Sequence, residues 1–560
     1  MKVSPASVRR FEHILDTSGA VSILASGLRT DNRGRKQNTH AIHLLLLGLF
    51  LSVHHHGSAT VKDAYGTLTG LSLDDRLRLG ISVPDPNSPD GASHALTLAQ
   101  LYYVSKTIGD RLAYGEESAP DLSDEERVRR HQVVQRFCQA VMDVFDLGWA
   151  ASHAAMDATG VWSWARGKTR PKGEPSTQEH DLIGDDTAEP ATETGSSGPE
   201  TTLVDATEEV YDLDAAWGIK TSKSGKDERF FGYHEHTQVQ VPGPNQTVEE
   251  IPPLIRAFEL TPANRDVVDV SLRLLDAGGE HVTELLVDTH YSYKIPERWR
   301  MKLHDRGIRQ HLDLRSTDQG FVESDRVRWA AGWAHCPATP DAMGAIVSPG
   351  PGDPDRTNKM KKFFEKIEGR EAYAFRRVTT PDRSGTARVE CPAEAGKIGC
   401  PLRVGTVETA VTLGLSIVES PPDPSGPEGL PRCCTQRTVT LAPPPGQDKL
   451  VQPHYWGSRA WHRTYGKRTY VEGSYGNRKN PSTEDLRRGL FRVVGLPWVH
   501  INMAAVNVSY NLRMLRNWHE RTDQGPEGHP LLTADAERNN VVYLTDEEAR
   551  ARVEATNGAA

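Results

Sequence analysis

Three acids and the cations beside one of them carry the chemistry that can be read from this chain. Asp157 closes a run of small and apolar residues, Ala154-Ala-Met-Asp, and Asp288 closes Leu285-Leu-Val-Asp. Both read as the ends of short buried strands. An acid at the C-terminal end of a strand in an open α/β sheet points into the crevice where ligands bind. Two carboxylates brought together there repel each other unless a cation neutralises them, so magnesium or manganese is the expected occupant. For one isolated Asp, capping of the next turn is the commoner role. Two such acids flanking one sheet make that coincidence harder to accept.

The third acid has company. Arg468, Glu472 and Lys479 lie 3, 7 and 14 residues beyond Tyr465. At about 100° per residue these offsets fall at roughly 300°, 340° and 320°, so the spacing predicts one helical face. That face would carry a carboxylate for metal, two cations for neighbouring phosphates, and a phenol. The competing explanation is a solvated helix face with intrahelical ion pairs. Gly473 and Gly476 weaken the helix itself.

These segments together resemble a known family. Asp157-Ala-Thr-Gly, Asp288-Thr-His-Tyr-Ser and Tyr465-x2-Arg468-x3-Glu472-x6-Lys479 are similar to the motifs of bacterial insertion-sequence DDE transposases with the Tyr-Arg-Glu-Lys signature. The likeness extends to Trp217-Gly-Ile-Lys through Gly232-Tyr-His-Glu-His and to Arg488-Gly and Asn511-Leu-Arg, covering most of 150–315 and 455–520. It implies a ribonuclease-H-like core in which Asp157, Asp288 and Glu472 hold two Mg2+ or Mn2+ ions about 3.5–4 Å apart. Water would first free a 3′-hydroxyl at the element's end, and that hydroxyl would then join target DNA. Arg468 and Lys479 would grip phosphates near the cut, and Tyr465 would support the flanking strand. The implied partner is double-stranded DNA, both element ends and target, bound by a homodimer. A domesticated metal-dependent endonuclease and a non-catalytic DNA-binding protein are the competing readings. A glycosidase leaves the Arg and Lys beside Glu472 unexplained.

The elements that must position these residues give an α/β reading with a helical N-terminal domain and an inserted, partly β subdomain. At 560 residues the chain exceeds one compact core. Residues 1–148 read as helical and as the DNA-end-binding domain. Ile42–Val53 is expected to be a buried helix, and Arg127–Phe145 another, with Ser123 and Glu126 offering a capping box. Arg29, Arg33, Arg35 and Lys36 read as a solvated basic loop, with DNA contact the less favoured alternative. Residues 149–314 hold the first part of the core, interrupted at 173–214 by an acidic stretch expected to be disordered. Within that part, Phe230–Val241 reads as a strand, Thr261-Pro as a helix start, and Gly278 as that helix's end. Residues 315–454 form the insertion, 455–520 the second part of the core, and 521–560 a polar tail. Ser482 with Asp485 is expected to cap a helix reaching Val494, and Pro497–Trp518 to form a long apolar one.

Weaker signals set further expectations. The net charge of −9 provides no global attraction for nucleic acid, so a DNA surface must be local. Six cysteines are too few for a secreted disulfide scaffold of this length. With no signal-like start and no 20-residue apolar run, a cytoplasmic, nucleoid-associated bacterial protein without a membrane span is expected. Cys391, Cys400, Cys433 and Cys434, with His335-Cys336, could assemble structural zinc. The absence of a Cys-x2-Cys pair favours buried thiols, and zinc is not assigned. His54-His-His reads as an exposed helix end, and Trp456 and Trp461 as either core or base-stacking residues.

Overall fold

The computed structural model describes residues 3–29, 39–89, 91–149, 151–167, 211–221, 227–278, 281–350, 352–426 and 429–533. Arg33, Arg35, Lys36, most of the acidic stretch and the tail beyond 533 lie outside the described residues. The fold is mixed α/β with open sheets.

Six strands form the central sheet: β1 His153–Trp162, β2 Ala216–Thr221, β3 Asp227–Val241, β4 Ile255–Pro262, β5 Glu284–Val287 and β6 Arg309–Leu312. β3 pairs antiparallel with β1, β2 and β4. On its other edge β1 pairs parallel with β5, and β5 parallel with β6. Pairing therefore changes from antiparallel to parallel at β1, the strand bearing Asp157.

Successive residues of a strand face opposite sides, and each side of this sheet meets its own core. Ala155 and Leu286 face a core shared with Thr39–His56, Asp124–Asp143 and the 27-residue helix Leu496–Thr522. Ala154, Met156, Leu285 and Val287 face another, built with Val267–Gly278, Arg356–Ala372, Trp456 and Trp461. The two Trp side chains are thus core residues. Both faces are covered, and three polar residues of β3 find partners inside: His236 with Thr261 at 3.0 Å, Gln238 with the Gly278 carbonyl at 3.2 Å, Gln240 with that of Pro252 at 2.7 Å. The helices of the first 148 residues share one continuous core with the sheet and the long C-terminal helix.

Several local expectations change. Thr261-Pro does not open a helix. Both residues end β4, because Thr261 is held in register opposite His234, and the helix starts at Val267. Ser482 caps no helix: residues 481–495 run as turns, with Asp485 at φ 52°. Ser123 does accept the Glu126 N–H, but the Glu126 carboxylate turns to Arg129 and Arg130, so the box stays half-formed. His54 and His55 are drawn inward, bonding Ser509 at 2.9 Å and Ser7 at 2.7 Å. The last residues of the acidic stretch are built into the fold: Asp212 and Asp214 are buried and accept the backbone N–H groups of Gly495 and Leu496 at 3.2 and 2.8 Å. Carboxylates suit that position, since the N-terminus of the long helix presents unpaired N–H groups and a partial positive charge.

Between β6 and the helix Arg459–Tyr465 lies the insertion. It contains two antiparallel three-stranded sheets, Val322–Ser324 with Val327–Ala330 and Trp333–His335, and Arg376–Arg377 with Ala387–Glu390 and Thr438–Leu441. Trp329, Tyr373, Phe375 and several cysteines give it a separate core. Among the described residues no single helix is long and apolar enough to cross a membrane.

Candidate functional site

Parallel pairing of β1 with β5 runs from His153↔Glu284 to Ala155↔Leu286. Two residues beyond the last pair, Asp157 and Asp288 stand level with each other. Pairing of β5 with β6 ends at Val287↔Leu312, so Asp313 stands level with Asp288. Three neighbouring parallel strands each deliver an aspartate to the same edge.

Asp157 is not the end of its strand. β1 continues to Trp162 on β3 alone, after β5 has stopped at Val287. The backbone edge of β1 beyond Asp157 therefore opens a crevice at the point where strand direction changes. Asp157 accepts its neighbour Ala158 N–H at 2.8 Å, and its carbonyl accepts the Tyr475 hydroxyl at 2.6 Å. Burial pushes its carboxyl up to about 6, Asp288 adds to that push, and Arg468 opposes it. Asp288 caps the 3-10 turn Thr289–Tyr293 by accepting the His290 N–H at 3.0 Å. The capping role is thus present beside the clustering of acids.

The expected single helix from Tyr465 to Lys479 is three pieces: Arg459–Tyr465, a 3-10 turn Gly466–Arg468, and Thr469–Lys479. The tighter turn spans only three residues, and the signature side chains keep to one side: Arg468 lies over the Tyr465 ring, 5.9 Å from its centre, and pairs with Glu472 one turn further on. Tertiary contacts hold the last piece despite its two glycines. Val471 is fully buried. Arg478, also fully buried, pairs with Glu235 of β3 at 2.5 Å and bonds Asn507 of the long helix. A buried pair of this kind is costly to break from one side.

That anchoring turns the signature residues toward the acids. Arg468 donates to Asp157 at 3.1 Å and also pairs with Glu472, so its guanidinium lies between two of the three predicted metal-binding acids. Burial opposes the charge on Arg468, but Tyr465, Asp157, Glu472 and Asp288 hold its proton firmly. Tyr465 stacks on Trp461, ring centres 4.4 Å apart. Burial pushes its phenol well above the usual value against the pull of Arg468, and Asp313, Asp288 and Asp157 add to the push. Lys479 donates to Thr159 at 2.6 Å on the extended half of β1. The side chain of Glu472 is half exposed.

Asp157, Asp288, Tyr465, Arg468 and Glu472 are therefore brought together, and Lys479 reaches the same strand two residues beyond Asp157. Among the described residues no three Asp, Glu, His or Cys groups close on a common point as ligands. The chemistry of the set nevertheless suits a divalent cation: hard oxygen donors, one of them resisting ionisation because of burial and a like charge. Sequence reasoning missed Asp313, which accepts the Trp456 indole N–H at 2.8 Å. The signal was available, since Gln310-His-Leu-Asp repeats the strand-then-acid pattern of Leu285-Leu-Val-Asp. It also missed the Glu235–Arg478 anchor, which has no local pattern.

Comparison of the chain with known protein families, with curated proteins and with solved structures finds no match.

Proposed function

We propose that this protein is a DDE transposase, cutting DNA at the ends of an insertion sequence and joining the freed 3′-hydroxyl to target DNA. The observation that carries the reading is the level placement of Asp157 and Asp288 on adjacent parallel strands, with Arg468 tying Asp157 to Glu472. A ribonuclease-H-like core is the fold proposed for the sheet, supported by the switch in strand direction at β1 beside the acids.

Asp157, Asp288 and Glu472 would hold two Mg2+ or Mn2+ ions, which when bound activate an oxygen nucleophile and offset charge on the leaving oxygen. Arg468, already between acids, would turn its second face to a phosphate when metal takes over charge compensation. Lys479, on the same edge, would hold a phosphate one step further along the strand. Tyr465, kept neutral, would donate a hydrogen bond to the flanking backbone. The N-terminal helices are proposed to bind the element ends, in a homodimer on DNA, in a bacterial cytoplasm at the nucleoid.

One observation favours a second reading, a non-catalytic DNA-binding protein: Arg468 satisfies two acids at once, a stable arrangement that needs no metal. Cleavage of DNA carrying the gene's own flanking ends separates the two. Wild-type protein with Mg2+ or Mn2+ is expected to cut at the ends, and Glu472→Ala to bind the same DNA without cutting. Specific end binding by wild type with no cutting under either metal would leave the DNA-binding reading standing.

A further inference from the structure

We propose that the inserted subdomain binds one structural zinc ion through Cys336, Cys391, Cys400 and Cys434. The site is separate from the acids and does not depend on the proposed DNA chemistry.

The four cysteines are far apart in sequence and meet because of the sheet Arg376–Arg377, Ala387–Glu390, Thr438–Leu441. Cys391 directly follows the middle strand, and its N–H donates to the Arg437 carbonyl at 3.4 Å. Cys434 lies in the helical turn Arg432–Thr435 that leads into the third strand. Cys336 donates its N–H to the Tyr373 carbonyl at 2.9 Å, beside a bridge from His335 to Ala374 that leads into the first strand. Arg403, whose N–H closes a turn on the Cys400 carbonyl, donates its guanidinium to the carbonyls of Cys433 at 3.2 Å and Gln436 at 2.6 Å. Four separate segments thus bring thiols to one end of one sheet, within a single buried cluster.

The turns are built for thiolates. Cys336, Cys391 and Cys400 are each followed by proline. Backbone N–H groups donate to their sulfurs: Ala338 to Cys336, Glu394 and Ala393 to Cys391, and Leu402 to Cys400. Such bonds favour a sulfur carrying negative charge. Cys434 lies beside the Cys433 thiol and faces Arg403 and Arg326. Four thiolates around Zn2+ leave a net charge of −2, and these guanidiniums are placed to offset it.

All six cysteines are free thiols, so no disulfide uses them. Among the described residues no three His, Cys, Asp or Glu groups converge as ligands as they stand, so zinc binding must draw the four sulfurs together. Binding releases one proton per thiol to solvent. Soft sulfur donors and four-fold coordination select zinc over the hard cations expected at the acids. With no open position, its role is to tie segments spanning residues 336 to 434.

The test is the zinc content of full-length protein purified without a histidine tag and dialysed against a weak chelator. One zinc per chain is expected in wild type, in Cys138→Ser and in Cys433→Ser, with loss in Cys391→Ser and Cys434→Ser. Because loss variants can misfold, wild-type protein loaded with Co2+ provides a second readout: tetrahedral d–d bands with thiolate charge transfer are expected. Release of zinc from wild type by a mercurial should track modification of four thiols. Substoichiometric zinc without cobalt–thiolate bands overturns the proposal, as does bound iron in place of zinc. Retention of zinc by Cys391→Ser, or its loss from Cys433→Ser but not from Cys434→Ser, overturns the ligand assignment.

Discussion

Arg468 donates a hydrogen bond to Asp157 at 3.1 Å, joining the end of a 3-10 turn to the middle of a strand more than three hundred residues earlier. A guanidinium in that position would compete with the proposed metal ions for the same carboxylate. Arg468→Gln is therefore expected to tighten binding of Mn2+, followed by its paramagnetic resonance signal. End cleavage should fall at least about 100-fold, as expected when a donor to transition-state charge is removed. Unchanged Mn2+ affinity would show that the arginine does not gate the acids.

The raised carboxyl of Asp157 makes stability depend on pH with a definite sign. Its folded value is about 6, against roughly 3.9 for an unfolded chain. The folded state therefore holds the extra proton, and the favourable contribution is complete below about pH 4 and lost as pH rises through 6. At pH 7.5 the charged form costs on the order of 2–3 kcal/mol. Urea denaturation of metal-free Asp157→Asn should show a gain of that order at pH 7.5 and none at pH 4. Added Mg2+ should stabilise wild type at pH 7.5 and do little for the variant. A variant less stable than wild type at pH 7.5 would contradict the assigned environment.

Glu235 and Arg478 test what holds the Glu472 helix in place. Arg478→Met leaves Glu235 charged and buried, and a loss of about 3–5 kcal/mol is expected in urea titrations. The double variant Glu235→Leu with Arg478→Met should recover most of it. No recovery would mean that Asn507 and the backbone carry the anchor instead.

Asp313 is level with Asp288 but already bonded to the Trp456 indole. Its charge also reaches the Tyr465 phenol, so it borders the acids. Asp313→Asn should weaken Mn2+ binding by roughly 10–100-fold, while Asp288→Asn should abolish tight binding. Equal losses in both variants would make Asp313 a ligand in its own right.

Lys479, bonded to Thr159 and Gly160, is proposed to hold one phosphate. Lys479→Ala should weaken DNA binding alike for all sequences and reduce the slope of log affinity against log salt by about one. An unchanged slope would return Lys479 to a structural role on β1.

The sequence by itself determined the local pieces. Strands at Leu285–Val287 and Gln310–Leu312, the buried helix from Ile42, and the long apolar helix beginning at Pro497 follow from periodicity and breakers, which act over a few residues. The types of Asp157, Asp288 and Glu472 were legible for the same reason: an acid after a short apolar run, and an acid among cations, are patterns in short windows, although the strand bearing Asp157 runs on to Trp162. Register was not legible. That Asp157 stands level with Asp288, that β1 runs on past it, and that Asp313 joins the row depend on which strands pair. Nor could a helical wheel foresee what that face meets: Arg468 reaches Asp157, Tyr465 stacks on Trp461 and Lys479 reaches Thr159. The meeting of Cys336, Cys391, Cys400 and Cys434 is of the same kind, since their spacing matches no local template. Contacts between residues hundreds of positions apart are selected by burial and pairing over the whole chain, and only the tertiary structure decides them.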